Sequence, residues 1–574
     1  MACALALLGH AAMAQDLRSV PRDRTLISQG WDFYNQVPSP GNMSPYSGVL
    51  LHQRNSLHYT VNEFLFYTDY NANRIIPWQG ESWSYDSTYT VLTLKLRDGV
   101  TWSDGQPFTS DDVVFTIDML KSVAPDVVMS AAIKDTVAKA EVVDKLTVRI
   151  TPTRPAPRWA QDTLASGHAA RFVVVPKHIW QGQDPRTFTN FDIAKGWPVG
   201  TGPYKLVRAD SNQLVFDRRE QWWASDTHLV PALPAPERVI YKPAAFEAMP
   251  QLFANNKIDI GRALLVGTFE ALRARNPALV SWNTSGPVWG APDGCTFALT
   301  FNNQKPPFDD ATVGTAIDAA IDRDQIVDLA FEGSVLKAVL PFASYGGVKV
   351  YTQKVQDLID ASGVDKRDPK RVEALLTGEK FAKGADGTWK KPDGSAWPVT
   401  VLTLQGDPVG PVLAQQLKSA GFDALFQPLQ DGPFYDALAT GNFELAIRTH
   451  CGSAYDPWQT LQNYHSRFAA APGQKVTNIR APGRYKNPAM DAVLNAMEAK
   501  PPSPTDPQYM DLIRQAVSLY LHDLPELTLA EELHVVTFNT TYWKGFPSAA
   551  DPYINPFIPW EGFNLVVHHL KPTK

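Results

Sequence analysis

The chain is poor in cysteine and has no long apolar segment. Only 3 cysteines occur among 574 residues, and the one extended apolar run, from Ala2 to Ala14, is shorter than the roughly 20 residues that cross a bilayer. Charge of one sign is not in large excess either, since the net charge is only −6. This negative charge disfavours a nucleic-acid partner and gives no basic patch for anionic lipid. With 44% hydrophobic and 20% charged residues, the composition is typical of a soluble globular protein, and the length predicts two or more lobes.

Sequence motifs of common enzymes are missing as well. The chain has no HExxH, no GxxxxGK[ST], no GxGxxG and no GxSxG. Its 12 histidines are scattered, apart from the adjacent pair His568 and His569, which is typical of a solvated tail. We therefore predict a binding protein rather than an enzyme, with no catalytic residue, no cofactor and no metal ligand. A glycoside hydrolase stays open as a remote alternative, because it needs only two carboxylates among 59 acidic residues.

The N-terminus is typical of a secreted protein. The apolar run ends in Ala12-Met13-Ala14, which predicts a signal peptide over residues 1–14 that is cleaved before Gln15. A positive charge at its start is lacking, and a true start further upstream would account for that. Nothing around Cys3 resembles a lipoprotein box, so we expect a soluble periplasmic product.

Local patterns predict a mixed α/β fold. Apolar residues alternate with polar ones over Leu92–Leu96, as in a half-buried strand. Thr109 and Asp112 form a capping-box pattern ahead of a helix with an apolar face. Three further helices are predicted to begin after Asp309 or Asp310, after Asp368 and after Asp506, the last two with proline at the first position. Further strand-like segments are Leu214–Asp217, Thr296–Phe301, Val399–Leu404 and Leu445–Ile447.

Five ordered segments carry a family resemblance. The segment 96–113, LRDGVTWSDGQPFTSDDV, resembles the signature LR-x-G-V-x-W-x-D-G-x-P-x-T-A-x-D-V of the family 5 extracellular solute-binding proteins, with Ser110 in place of the usual Ala. These are the oligopeptide, dipeptide, nickel and oligosaccharide receptors of ABC importers. The other segments that resemble family motifs in order are PWQGESW (77–83), VGTGPY (199–204), FNNQKPPFDDATVGTAIDAAIDR (301–323) and HCGSAYDPW (450–458).

The resemblance implies a two-lobe α/β periplasmic binding protein of type II, of the large cluster with an extra subdomain. Lobe I would be discontinuous over residues 15–60, 195–290 and 535–574, the extra subdomain would occupy 61–194, and lobe II would occupy 291–534. The ligand would lie in a cleft between the lobes, and hinge closure would capture it. The implied partners are ABC permease subunits, and we expect a monomer in the periplasm.

A disulfide is also implied. Cys295 and Cys451 occupy two motif positions that are bridged in the oligopeptide-binding branch, and an oxidising compartment favours such a bond. Two buried free thiols remain the alternative.

One substitution bears on the ligand class. In peptide-binding relatives an Asp in the HCGSAYDPW segment pairs with the ligand's ammonium group, and Ser453 stands at that position here. A hydroxyl cannot neutralise a buried cation. Carrying the family contacts over by motif also places Thr300, His450, Cys451 and Gly452 at the cleft wall. A slip in register, or another carboxylate that supplies the charge, stays open.

Aromatic residues favour a sugar. Of the 16 tryptophans, Trp31, Trp289 and Trp458 fall in predicted loops or strand ends, and Asn35 offers an amide nearby. Sugars stack on aromatic rings and bind amides and hydroxyls. An oligosaccharide is therefore favoured over an oligopeptide or dipeptide, although packing in the core would explain each tryptophan as well.

Overall fold

A computed structural model describes residues 17–29, 35–48, 58–165, 172–261, 265–471, 473–556 and 562–574. The signal-peptide prediction lies outside these residues. The α-helices of the described part are His58–Val61, Ser110–Ser122, Ser130–Thr136, Trp159–Leu164, Lys177–Trp180, Trp223–Asp226, Met249–Ala254, Val266–Arg275, Ala311–Ala320, Arg323–Phe331, Lys349–Gln353, Gln356–Ser362, Pro369–Gly378, Val409–Ser419, Asp431–Thr440, Trp458–Leu461, Pro488–Glu498, Pro507–Asp523 and Phe563–His569.

The strands form three larger sheets within the described ranges. The seven-stranded sheet has the order Leu279–Val280, Thr537–Asn539, Ile260–Gly261, Thr25–Gln29, Arg238–Lys242, Gln213–Arg218, Tyr204–Asp210. The six-stranded sheet has the order Leu336–Lys337, Glu526–His534, Ala291–Phe301, Leu445–Cys451, Pro398–Leu404, Asp423–Leu429. The four-stranded sheet has the order Gly80–Tyr85, Leu92–Leu96, Thr147–Pro152, Val137–Asp144. Two-stranded ladders join Phe66–Asp69 to Arg74–Pro77, Ala382–Lys383 to Trp389–Lys390, and Trp543–Lys544 to Lys571–Pro572.

The predicted local elements are confirmed. Leu92–Leu96 is a strand whose three leucines are buried, and the capping box of Thr109 and Asp112 opens the helix Ser110–Ser122. The side chains of Asp310, Asp368 and Asp506 each accept a hydrogen bond from a backbone N–H in the first turn of the helix that follows. These signals act within four residues, which is why the sequence reveals them.

Two large hydrophobic cores hold the sheets together. One core contains Leu94 of the four-stranded sheet together with Leu206 and Phe216 of the seven-stranded sheet. The other contains Leu299 of the six-stranded sheet and Ile513 of the helix Pro507–Asp523. The part built on the four-stranded sheet therefore packs as one body with the seven-stranded sheet. No helix in the described ranges is long and apolar enough to span a bilayer.

The chain passes between the seven-stranded and six-stranded sheets at residues 281–290 and again at 535–536. The two crossings lie side by side, because Ala291 pairs with His534 and Pro292 pairs with Leu533 in an antiparallel ladder. Beyond them the ladder is irregular, and residues 293–295 lie opposite the single residue Glu532 before Thr296 pairs with Glu531. We call this region of adjacent crossings the hinge.

Candidate functional site

A small cavity lies beside the hinge, where distant parts of the chain meet. Its volume is about 20 Å³, which is close to the space of one water molecule. Three parts of the chain contribute to it: the body of the six-stranded sheet, the loop after Phe66–Asp69 and the C-terminal segment. The residues that line it are Tyr70, Asp293, Gly294, Tyr345, Gly452, Ser453, Ala454 and Asn555.

The disulfide holds one wall of this cavity. Cys295 and Cys451 are bonded and lie directly opposite each other in the ladder. Their neighbours approach closely, since the backbone N–H of Gly452 donates to the carbonyl of Gly294 at 3.3 Å. A Cβ atom at position 294 would lie 3.0 Å from the carbonyl oxygen of Ser453, so glycine permits this approach.

The side chain of Ser453 is engaged in a local turn. It is fully buried, and its hydroxyl donates to the carbonyl of Pro457 at 3.2 Å and lies 2.9 Å from the hydroxyl of Thr460. The backbone N–H of Thr460 donates back to the Ser453 hydroxyl at 3.2 Å. The carbonyl of Ser453, in contrast, accepts from the Tyr345 hydroxyl at 3.3 Å at the cavity wall. The backbone of Ser453 therefore shapes the cavity while its hydroxyl closes the turn.

Thr300 and His450 meet in a buried polar cluster around Glu526. The Thr300 hydroxyl donates to Glu526 at 2.9 Å, Arg448 donates to the same carboxylate at 2.9 Å, and Nδ1 of His450 lies 2.5 Å from it. Tyr464 donates to it as well, at 2.7 Å. Burial would raise the pKa of Glu526, but the neighbouring His450, the charge of Arg448 and these hydrogen bonds outweigh burial and hold the pKa below its usual range. Burial lowers the pKa of His450 itself, so the fixed charge of Arg448 is the dependable partner. The carboxylate is thus ionised and stabilises the inner face of the six-stranded sheet.

Two of the predicted tryptophans pack in the protein interior. Trp289 is 5% exposed, and its indole N–H donates to Glu270 at 2.9 Å. Trp458 is 7% exposed, and the guanidinium of Arg158 lies 4.7 Å from its ring centroid. Asn35 is exposed, and Trp31 lies outside the described residues. The cavity lining therefore contains none of Trp289, Trp458 and Asn35.

A buried ion pair also joins the two bodies. Arg158, next to the four-stranded sheet, donates to Asp456 at 3.0 and 3.3 Å. Both side chains are at most 4% exposed. Tyr509 bonds to Asp456 and to Arg158, and the Met497 carbonyl accepts from Arg158 at 3.3 Å. The sequence contains Asp456 in the HCGSAYDPW segment, but nothing local points to its partner 298 positions away.

A second acidic group lies at the same contact. The Tyr455 hydroxyl donates to Asp162, and the amide of Gln459 donates to it at 3.4 Å. Burial raises the pKa of Asp162 to about 6, against the lowering effect of the Tyr455 hydrogen bond and the charge of Arg158. At the edge of the contact, Arg154 pairs with Glu498 at 2.8 Å in solvent.

Glu332 makes a further link between the bodies. Its carboxylate accepts from the backbone N–H of Gly267 at 3.0 Å, in the first turn of the helix Val266–Arg275. The N-cap of this helix is Leu265, which offers no side-chain acceptor. Glu332, in the body of the six-stranded sheet, thus supplies a hydrogen-bond acceptor for the N-terminus of a helix in the body of the seven-stranded sheet.

Sequence reasoning missed the cavity residues Tyr70, Asp293, Tyr345 and Asn555. Asp293 stands two positions before Cys295, so its nearness to a recognised motif was the one available signal. Tyr70 and Asn555 come from segments without such a motif. Only the fold brings them together.

Comparisons with known proteins agree on one family. The family model for the bacterial extracellular solute-binding proteins, family 5 (middle region), matches residues 74–471. The nickel-binding periplasmic protein of Escherichia coli (strain K12) is 23% identical over 430 residues, which cover 70% of this chain and 72% of the relative.

Solved structures share the fold of this chain. The periplasmic oligopeptide-binding protein of an oligopeptide ABC transporter from Thermotoga maritima matches with a TM-score of 0.81 and 22% identity, over 96% of this chain and 100% of that chain. Its mannohexaose-bound crystal structure matches with a TM-score of 0.75 and 22% identity, over 97% of this chain and 100% of that chain.

Proposed function

The chain belongs to the bacterial extracellular solute-binding proteins of family 5, and we propose that it is the periplasmic receptor of an ABC importer. The receptor acts as a monomer. It captures a small oligomeric solute and delivers this solute to the permease subunits. The observation that carries this proposal is the pair of adjacent chain crossings between the two bodies, beside a water-sized cavity that residues from both bodies line. Closure of two lobes around a solute is the usual mechanism of such receptors. The fold of its structural neighbours, the type II two-lobe periplasmic binding protein, is shared by this chain.

The proposed receptor function also implies how the chain divides into lobes. We place lobe I at 15–60, 195–290 and 535–574, the extra subdomain at 61–194 and lobe II at 291–534. The seven-, four- and six-stranded sheets fall within these three parts in turn. The hinge then coincides with the two boundaries at 290/291 and 534/535, and closure brings the Arg158 and Asp456 side chains together.

An oligosaccharide is the ligand class that we favour. The hydroxyl of Ser453 faces Pro457 and Thr460 and provides no charge for a ligand's ammonium group. The phenol rings of Tyr70 and Tyr345, with the amide of Asn555, supply the aromatic and polar surface that a sugar requires. The mannohexaose complex of the structural neighbour supports this choice for the scaffold.

A peptide is the second candidate, because Asp293 also lines the cavity. Its carboxylate would supply the negative charge that a peptide ammonium needs. Asp293 is 6% exposed and bonds to His534 at 2.8 Å. A peptide would have to compete with that partner.

A thermal-shift screen tests the two classes. Di- to pentasaccharides and di- to pentapeptides are added separately, and a ligand at about 100 times its dissociation constant adds about 2.7 kcal/mol to the folded state. Stabilisation by sugars alone supports the proposal, and stabilisation by peptides alone replaces it with the second candidate. Cleavage of the sugars on long incubation would instead support a glycoside hydrolase.

A further inference from the structure

The hinge contains a cluster of metal-ligating side chains, of which only Asp293 also lines the cavity. Asp293, Glu532 and His534 each offer one ligand atom, and these atoms all lie within 4.8 Å of one another. Nε2 of His534 is 2.8 Å from a carboxylate oxygen of Asp293 and 3.7 Å from one of Glu532. The carboxylates come from neighbouring strands of the six-stranded sheet, Asp293 from Ala291–Phe301 and Glu532 from Glu526–His534, close to the two crossings.

We propose that Asp293, Glu532 and His534 form a binding site for one divalent transition-metal cation of the zinc type. Two ligand atoms that are each about 2.1 Å from a tetrahedral metal lie about 3.4 Å apart. The two separations from His534, 2.8 and 3.7 Å, bracket this value, and the ligand atoms of Asp293 and Glu532 lie within 4.8 Å of each other, so side-chain shifts would bring all three atoms to coordinating distance.

The chemistry of the three ligands selects the kind of metal. One imidazole with two carboxylates suits zinc and its first-row neighbours, whereas magnesium prefers oxygen ligands alone. The side chains of Asp293 and His534 are 7% and 10% exposed and that of Glu532 is 23% exposed.

The backbone at the hinge explains how the cluster forms. Residues 293–295 bulge opposite Glu532, and such bulges redirect side chains at functional positions. The bulge turns Asp293 towards His534 on the neighbouring strand. Three protein ligands leave a fourth tetrahedral position open, and Asp293 also lines the small cavity, so a cation held here borders the space for the solute.

The test is a Zn²⁺ titration of the tag-free protein, without any sugar or peptide, followed by isothermal calorimetry. We expect one Zn²⁺ per chain and no comparable binding of Mg²⁺. His534→Gln and Glu532→Gln each remove one ligand, and each should weaken Zn²⁺ binding by at least about 100-fold, since loss of an outer partner alone costs 10–100-fold. His522→Gln is the matched control: His522 also lies beside one carboxylate, at 2.7 Å from Asp523, but it is exposed, and it belongs to no three-ligand group among the residues that the structure describes.

Co²⁺ provides a second measurement that does not depend on stability. The wild-type protein and His522→Gln should show the visible absorption of tetrahedral Co²⁺, and His534→Gln should lose it. Failure of the wild-type protein to bind Zn²⁺, or unchanged affinity in both His534→Gln and Glu532→Gln, overturns the proposal. Because no solute is present, that failure leaves the receptor function standing, and the sugar and peptide screen decides the latter separately.

Discussion

Arg158 and Asp456 form a two-pronged ion pair that is buried between the body of the four-stranded sheet and the body of the six-stranded sheet. A buried pair adds little net stability when compared with apolar packing, but an unpaired buried charge is very unfavourable. The pair therefore acts mainly on specificity: it permits one arrangement of the two bodies and penalises others. Under the proposed receptor function, we expect that arrangement to be the closed one.

Arg158→Gln leaves Asp456 buried without its cation. We expect a loss of about 3–5 kcal/mol in the free energy of the closed state, measured as weaker ligand binding and as a lower melting temperature. The matched control is Arg154→Gln, which removes the neighbouring pair with Glu498. Arg154 is 67% exposed, so its loss should cost no more than about 1 kcal/mol. Equal effects of the two changes would show that burial of the Arg158 pair has no special role.

Asp162 should make stability depend on pH. Its pKa is raised to about 6 in the folded state, above the unfolded value near 3.9, so the folded protein binds more protons between these values. The contribution of Asp162 to the free energy of unfolding is therefore largest below about pH 4 and declines as pH rises from about 4 to about 6. The full shift would correspond to about 3 kcal/mol, and because Asp162 is only half-buried we expect about 1–2 kcal/mol.

The variant Asp162→Asn isolates this contribution. It cannot ionise but still accepts the Tyr455 hydrogen bond, so its stability relative to the wild type should rise between pH 4 and pH 7. Urea unfolding at several pH values measures the difference. A difference that stays constant with pH would contradict the assignment.

Reduction of the disulfide should loosen both the fold and the cavity. Loss of the Cys295–Cys451 bond is expected to cost about 2–5 kcal/mol, because the unfolded chain regains freedom over a loop of 156 residues. Ligand affinity should fall as well, since the bond holds Gly294 against Gly452 at the cavity wall. Unfolding and ligand titration with and without reductant measure the two effects. Labelling of both thiols in the unfolded, unreduced protein would show that the bond does not form.

Ser453→Asp should destabilise the fold itself. The new carboxylate would be buried against the Pro457 carbonyl, which cannot donate a hydrogen bond, and we expect a loss of at least about 2 kcal/mol. Ser453→Ala removes only the hydroxyl and should cost about 1 kcal/mol. Denaturant unfolding compares the two. If Ser453→Asp is as stable as the wild type and gains peptide affinity, the side chain faces the ligand after all.

The sequence by itself determined the local elements, the family and, through that family, the disulfide. The helix starts at Asp310, Asp368 and Asp506 depend on hydrogen bonds to the next two or three residues, so a short stretch of sequence contains the whole cause. The ordered motifs likewise lie in continuous segments.

Only the tertiary structure decided how the candidate site is built. Asp293 reaches His534 across 241 positions, and Arg158 reaches Asp456 across 298, because strand pairing and lobe packing bring them together. The sequence also could not tell that the Ser453 hydroxyl turns towards Thr460 rather than towards a ligand. The direction of a side chain and the contacts between distant residues depend on the whole fold. The fold results from many weak interactions along the entire chain, and no short sequence pattern contains all of them.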